Sequence, residues 1–159
     1  MTPPEAITLD GENKGAAFHY RAFERLYAKA PIKRMFRSKL AIEGKVRARI
    51  DFAVTLKTYH AAGAAHGTVY FKMLDDAAFC AAGTLVTDRF LLTTSFNLHL
   101  TRLVREGDIV ARGRWMSGRR RVLVAEALLP DDKGEVIGRG TGTVMRSHSG
   151  LSGLPGYSQ

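Results

Sequence analysis

The sequence predicts an α+β fold in which one curled antiparallel sheet wraps a single buried helix. Three observations carry that prediction. The stretch from His66 to Ala82 has no proline, is rich in alanine and is apolar on nearly every side, with Gly83 where a helix C-terminus belongs. Upstream, Val46, Ala48, Ile50, Phe52, Val54 and Leu56 alternate with Arg47, Arg49, Asp51, Ala53, Thr55 and Lys57, the period of a strand with one buried face. Downstream, four more strand candidates follow one another at hairpin spacing. Nothing else in the chain is large enough to cover a helix that is apolar all round, so the sheet must do it.

In chain order, residues 1–14 are polar with two prolines and read as a flexible N-terminal arm. Phe18, Ala22, Phe23, Leu26 and Tyr27 then recur at helical spacing, predicting an amphipathic helix over 16–29 that Pro31 ends. Its expected role is to pack on a sheet edge or line a pocket mouth, with His19 on its surface. Residues 35–43 read as a short strand closed by Glu43-Gly44, and 46–57 as the long one. The loop 59–65 delivers the chain to the central helix at about 66–83. Strands are expected over 91–103, 109–116, 122–129 and 136–145, with turns at Glu106-Gly107-Asp108, at Gly118 and at Pro130 to Gly134. Residues 15–146 thus form one domain, and the Ser/Gly-rich stretch 147–159 reads as a flexible C-terminal tail. An open curled sheet leaves edges and an uncovered face, which argues for a dimer or more.

Composition narrows the function. A chain of 159 residues suits one domain with a real core. No apolar run is long enough to span a bilayer and no signal-peptide pattern opens the chain, so a cytoplasmic protein without a membrane partner is expected. Cys80 is the only cysteine, which excludes an internal disulfide and a cysteine metal cluster. The net charge of +9 points to an anionic partner. No helix-turn-helix, RNA-binding aromatic motif or zinc module is legible, and a phosphate-bearing small molecule fits the charge at least as well as a nucleic acid.

Chemistry enters at two adjacent carboxylates on the central helix. Asp76 stands four residues after Lys72 and pairs with it as a half-exposed ion pair. Asp75 falls between Phe71 and Phe79 on a stripe of i, i+4, i+8 residues. Such a carboxylate is either capped by a buried donor or is catalytic in a pocket.

The block from His60 to Gly107 resembles the hotdog-fold acyl-CoA thioesterases of the PaaI-like, phenylacetate-pathway type. That family opens its central helix with Asn, a Gly and His-Gly-Gly, and places an Asp nine residues after the His. Here the matching residues are His60, Gly63, His66-Gly67-Thr68 and Asp75, followed by Thr93-Thr94-Ser95 opening the next strand. His60 stands where the family has Asn, and Thr68 replaces the second Gly. The resemblance implies a hotdog fold and hydrolysis of an acyl-CoA ester, with coenzyme A as part of the substrate and no separate cofactor. It also implies a homodimer, or a dimer of dimers, and no nucleic-acid partner.

A thioester carbonyl needs an oxyanion donor, and a base or nucleophile acting on the carbon. The helix N-terminus offers free N–H groups, and Gly67 lets a carbonyl approach. The resemblance assigns that role to the Gly67 N–H, makes Asp75 the base or nucleophile, and puts His60 in the position that assists the carbonyl or water. Thr93 is placed to hold water or orient Asp75. Gly67 and Asp75 are eight residues apart, about 12 Å along one helix, too far to meet at one reacting carbon. Two antiparallel copies solve this by setting Gly67 of one subunit opposite Asp75 of the other. His66 caps or orients the loop beside Thr68. Phe71 and Phe79, with Tyr70, suit an aromatic or medium-length acyl group, although aromatic residues on a core helix also serve packing alone. Arg119-Arg120-Arg121 form either the phosphate contact or a solvated turn. No metal is expected, because His60, His66 and Asp75 would be needed together and Asp75 lies too far down the helix. Two alternatives stand beside thioesterase chemistry: a hotdog dehydratase or hydratase using His60, and a non-catalytic acyl-CoA-binding protein.

Overall fold

The computed structural model describes residues 10–158, with side chains from Lys14 onward. Helix α1 runs Asp10–Lys29, β1 Lys39–Gly44, β2 Arg47–Ala53, α2 Gly67–Gly83, β3 Arg89–Leu100, β4 Asp108–Ser117, β5 Val122–Pro130 and β6 Val136–Gly150. The strands form one antiparallel sheet in the order β1-β2-β4-β5-β6-β3. Helix α2 lies across it, with Val69, Met73, Leu74, Ala77, Cys80 and Ala81 shut away from solvent. The closest approach is at Gly113 on β4, where a Cβ would sit 1.9 Å from the Ala77 carbonyl oxygen. Any larger residue would push helix and sheet apart. No helix among the described residues is long and apolar enough to cross a membrane.

Several boundaries differ from expectation, each for a local reason. Helix α1 begins at Asp10 instead of residue 16, because its first turns carry no apolar period to betray them. The expected arm thereby shrinks, and its residues 1–9 lie outside the described ones. The predicted strand at 35–43 starts at Lys39, because Pro31–Arg34 form a 3₁₀ turn and Met35, 74% exposed, still closes that turn onto Ile32. Strand β2 is shorter than its alternating pattern: Leu56 is exposed in a 3₁₀ turn. At its other end Val46 sits in the tight turn at φ 64, a costly conformation for a branched side chain. The Val46 N–H donates to Thr84 Oγ1 at 2.8 Å and its carbonyl accepts from Trp115 N–H at 3.1 Å, which hold it there.

The expected flexible tail is a packed segment. Residues 147–150 continue β6, and Leu151 and Tyr157 are buried in a second core beside α1. Arg25 of α1 donates to the carbonyls of Gly156 and Tyr157 at 3.2 and 3.3 Å. Serine and glycine content signals mobility, but two apolar anchors outweigh it. The same segment corrects His19. Expected at the surface, it is 2% exposed, with Nε2 donating to the Gly83 carbonyl at 2.8 Å and Nδ1 hydrogen-bonded to the Tyr157 hydroxyl at 2.7 Å. Burial lowers its pKa, which favours the neutral ring, while its hydrogen bond to the Gly83 carbonyl opposes that shift.

The two sheet edges are unlike. On β1 the Ile42 N–H donates to Glu24 Oε1 at 2.8 Å and the Ile42 carbonyl accepts from Arg21 at 3.4 Å, so α1 side chains occupy that edge. On the other side β3, twelve residues long, pairs with β6 alone among the described strands. Leu92 and Phe71 are exposed there, and Phe96 lies against β6 glycines. Phe71 meets Phe96 edge-on with ring centroids 5.4 Å apart.

Candidate active site

Helix α2 begins where it does because His66 caps it. The His66 Nδ1 accepts the Thr68 backbone N–H at 3.1 Å and lies 3.0 Å from the Thr68 hydroxyl. The first N–H of a helix, here that of Gly67, has no partner within the helix. A Cβ at Gly67 would meet nothing within 4 Å, so an approaching carbonyl finds open space at the positive end of the helix dipole.

Two turns further on, Asp75 is the only member of its aromatic stripe that carries charge. Its Oδ1 accepts a 2.9 Å hydrogen bond from Thr93 Oγ1 at the start of β3. Burial pushes its carboxyl up to about 6, and the charge of Asp76 adds to the rise, while the Thr93 bond and the Lys72 ammonium oppose it. Asp75 and Thr93 line a cavity of about 240 Å³ together with Phe79, Phe23, Leu26 and Tyr27.

Asp76 and Lys72 line the same cavity and form the expected ion pair, which is largely buried instead of half-exposed. Its Oδ2 takes the Lys72 ammonium and a 2.6 Å bond from the Tyr27 hydroxyl. The Tyr27 oxygen also contacts Ser38 Oγ at 2.5 Å. Burial and the Asp76 charge push the Tyr27 hydroxyl upward, so it stays a donor.

Among the residues singled out from sequence, Asp75, Thr93 and Phe79 converge on this cavity. Gly67, Thr68, His66 and Phe71 stand together at the exposed N-terminal end of α2. His60 is in the preceding loop, where its Nδ1 accepts the Ala62 N–H at 3.0 Å, and it does not line the Asp75 cavity of its own chain. Arg119, Arg120 and Arg121 form an exposed turn between β4 and β5, with the Arg119 guanidinium 4.9 Å from the Trp115 ring centre. Tyr27 escaped the sequence reading as a site residue. Its helical spacing marks only a buried face, and nothing local says which cavity that face will close.

The curled sheet around one long helix is a hotdog fold, and solved structures share it. The PaaI protein of the Escherichia coli phenylacetic acid degradation operon superposes with a TM-score of 0.71 at 12% identity, covering 84% of this chain and 98% of that one. A thioesterase from Haemophilus influenzae gives 0.67 at 16% identity, covering 91% and 96%. A thioesterase from Pseudomonas aeruginosa gives 0.67 at 18% identity, covering 87% and 94%. No curated protein matches the sequence. Residues 62–137, which hold α2, β3, β4 and β5, match the family model of the thioesterase superfamily. That segment, just under half of the chain, is similar to the thioesterase superfamily, and the fold that carries it is the hotdog fold.

Proposed function

We propose that the protein hydrolyses an acyl-CoA thioester, with an aromatic or medium-length acyl group seated in the cavity beside Asp75. The observation that carries this is the placement of a half-buried carboxylate of raised pKa, held by Thr93, in a cavity lined otherwise by apolar and aromatic side chains and by the Lys72–Asp76 ion pair. A general base is most effective with a pKa near the working pH, and burial moves Asp75 toward it.

In this reading two chains pair along β3, the edge that α1 leaves open. The Gly67 N–H of one subunit then faces Asp75 of its partner, which overcomes the separation along a single helix. Asp75 takes a proton from water while the hydroxide attacks the thioester carbon, or its carboxylate attacks directly to give an anhydride that water opens. The developing oxyanion is held by the Gly67 N–H. Collapse breaks the C–S bond, and the coenzyme A thiolate leaves and is protonated. The exposed arginines 119–121 are the proposed contact for the phosphates of coenzyme A. The hydratase-type alternative needs a histidine beside the carboxylate, and His60 does not line the Asp75 cavity of its own chain.

The test is thiol release from a panel of acyl-CoA esters by the wild type, Asp75→Ala and Asp75→Asn, with folding checked by circular dichroism. Turnover should fall by about 10²-fold or more in both folded variants. Because the ionised form acts, wild-type kcat/KM should decline as pH drops through about 6. Equal activity in a folded Asp75→Asn variant would refute the assignment. Single turnover in ¹⁸O-water separates the two roles, since only direct attack places label in the Asp75 side chain.

A further inference from the structure

We propose that Tyr27 sets the maximum length of acyl group the enzyme accepts, standing as the wall between the cavity beside Asp75 and a second, basic depression. The proposal rests on the placement of the acyl group in the Asp75 cavity.

Size limits what enters. The cavity of 240 Å³ equals about eight water volumes at roughly 30 Å³ each. That accommodates a compact acyl group and leaves coenzyme A outside. Behind it lies a depression of about 450 Å³ lined by Glu24, Lys33, Arg37, Ser38 and Lys39. Tyr27 is the one residue common to both linings, so its side chain stands at their boundary.

The wall is fixed from several segments. The Tyr27 hydroxyl donates to Asp76 on α2 and accepts from Ser38, which precedes β1. Lys72 Nζ lies 5.5 Å from the ring centre and Lys33 Nζ, from the 3₁₀ turn after α1, lies 4.8 Å from it. A ring held in this way does not swing aside for a longer chain. Displacing its hydroxyl would strip a donor from the half-buried Asp76 carboxylate, so an aliphatic terminus meets an energetic stop as well as a steric one. Tyr27 also lies outside the segment that carries the thioesterase match, so the limit belongs to α1 and not to the shared catalytic core.

The experiment measures kcat/KM for straight-chain esters from acetyl- to palmitoyl-CoA, and in parallel the binding of the corresponding S-alkyl-CoA thioethers, which cannot be hydrolysed. The wild type should show a sharp upper limit in both series. Tyr27→Ala should move the limit to longer chains, with a gain of at least about tenfold on the first ester beyond the wild-type limit. Tyr27→Phe, which keeps the ring, should leave the limit in place. Ala30→Phe, which fills the same cavity from the bend just after α1, should shorten it, and it tests the idea even where Tyr27→Ala does not fold. Length profiles indifferent to both positions would overturn the proposal while leaving an Asp75-dependent hydrolase intact. Inert esters with a Tyr27-dependent thioether limit would overturn the hydrolase reading and keep the wall.

Discussion

Asp75 carries a stability cost that its proposed role as base or nucleophile explains. A carboxyl whose pKa is raised in the fold binds its proton more tightly folded than unfolded. Folding is therefore favoured most below the unfolded value near 3.9, and that advantage is lost as pH rises through about 6. Asp75→Asn removes the penalty, so at pH 7.5 it should be more stable than the wild type by on the order of 1–2 kcal/mol, with little difference at pH 4. Urea melts at the two pH values check this, and a destabilised variant at pH 7.5 would contradict it. Asp75 was legible in sequence because a charge on an aromatic stripe breaks the helical pattern. His19 was not, because its partners Gly83 and Tyr157 are 64 and 138 residues away and no local period encodes them.

At the scale of elements, periodicity found α2 and the strands β3 to β6 within a few residues, but the meander their spacing suggests holds only for β4, β5 and β6, because β3 pairs with β6 across the sheet and not with β4. It misjudged segments whose order depends on a few anchors. The C-terminal segment is the clearest case, its serines and glycines outweighing Leu151 and Tyr157 in any compositional reading. Leu151 is fully buried, so Leu151→Ala should cost about 2–5 kcal/mol. Chemical denaturation measures that loss. A cost near zero would restore the view of a loose tail. Gly113 gives the opposite kind of test. Gly113→Val should prevent folding or displace α2, because the Ala77 carbonyl occupies the place of the new side chain. Soluble expression and near-ultraviolet circular dichroism report it.

At the scale of the whole molecule, the active site in the proposed reading is complete only between two chains. Phe71 is 40% exposed at the N-terminal end of α2 and leans on Phe96 of the open edge. Phe71→Glu should weaken association by at least about tenfold and make specific activity fall on dilution and recover with concentration. Sedimentation velocity alongside the assay checks both. The charge of +9 predicts that KM for an acyl-CoA rises with salt. Several of the basic residues are already paired: Arg102 with Asp131 and Glu135, Arg112 with Glu43, Arg114 with Glu126. The composition announced an anionic partner, but that internal pairing could not be read from it, since it joins residues on different strands and turns.

The unequal treatment of the two sheet edges has a consequence for the number of chains that can join by strand pairing. With Glu24 and Arg21 engaging Ile42 on β1, the proposed pairing along β3 would give each chain a valence of one. Pairing along β3 uses that valence in a single step, so growth terminates at two and does not run on into a fibre. Freeing the blocked edge would raise the valence to two and turn a finite assembly into an open-ended one. Glu24→Ala combined with Arg21→Ala should therefore give time-dependent turbidity and thioflavin binding where the native chain stays clear, and a double variant that remains clear would show that α1 is not what caps the stack.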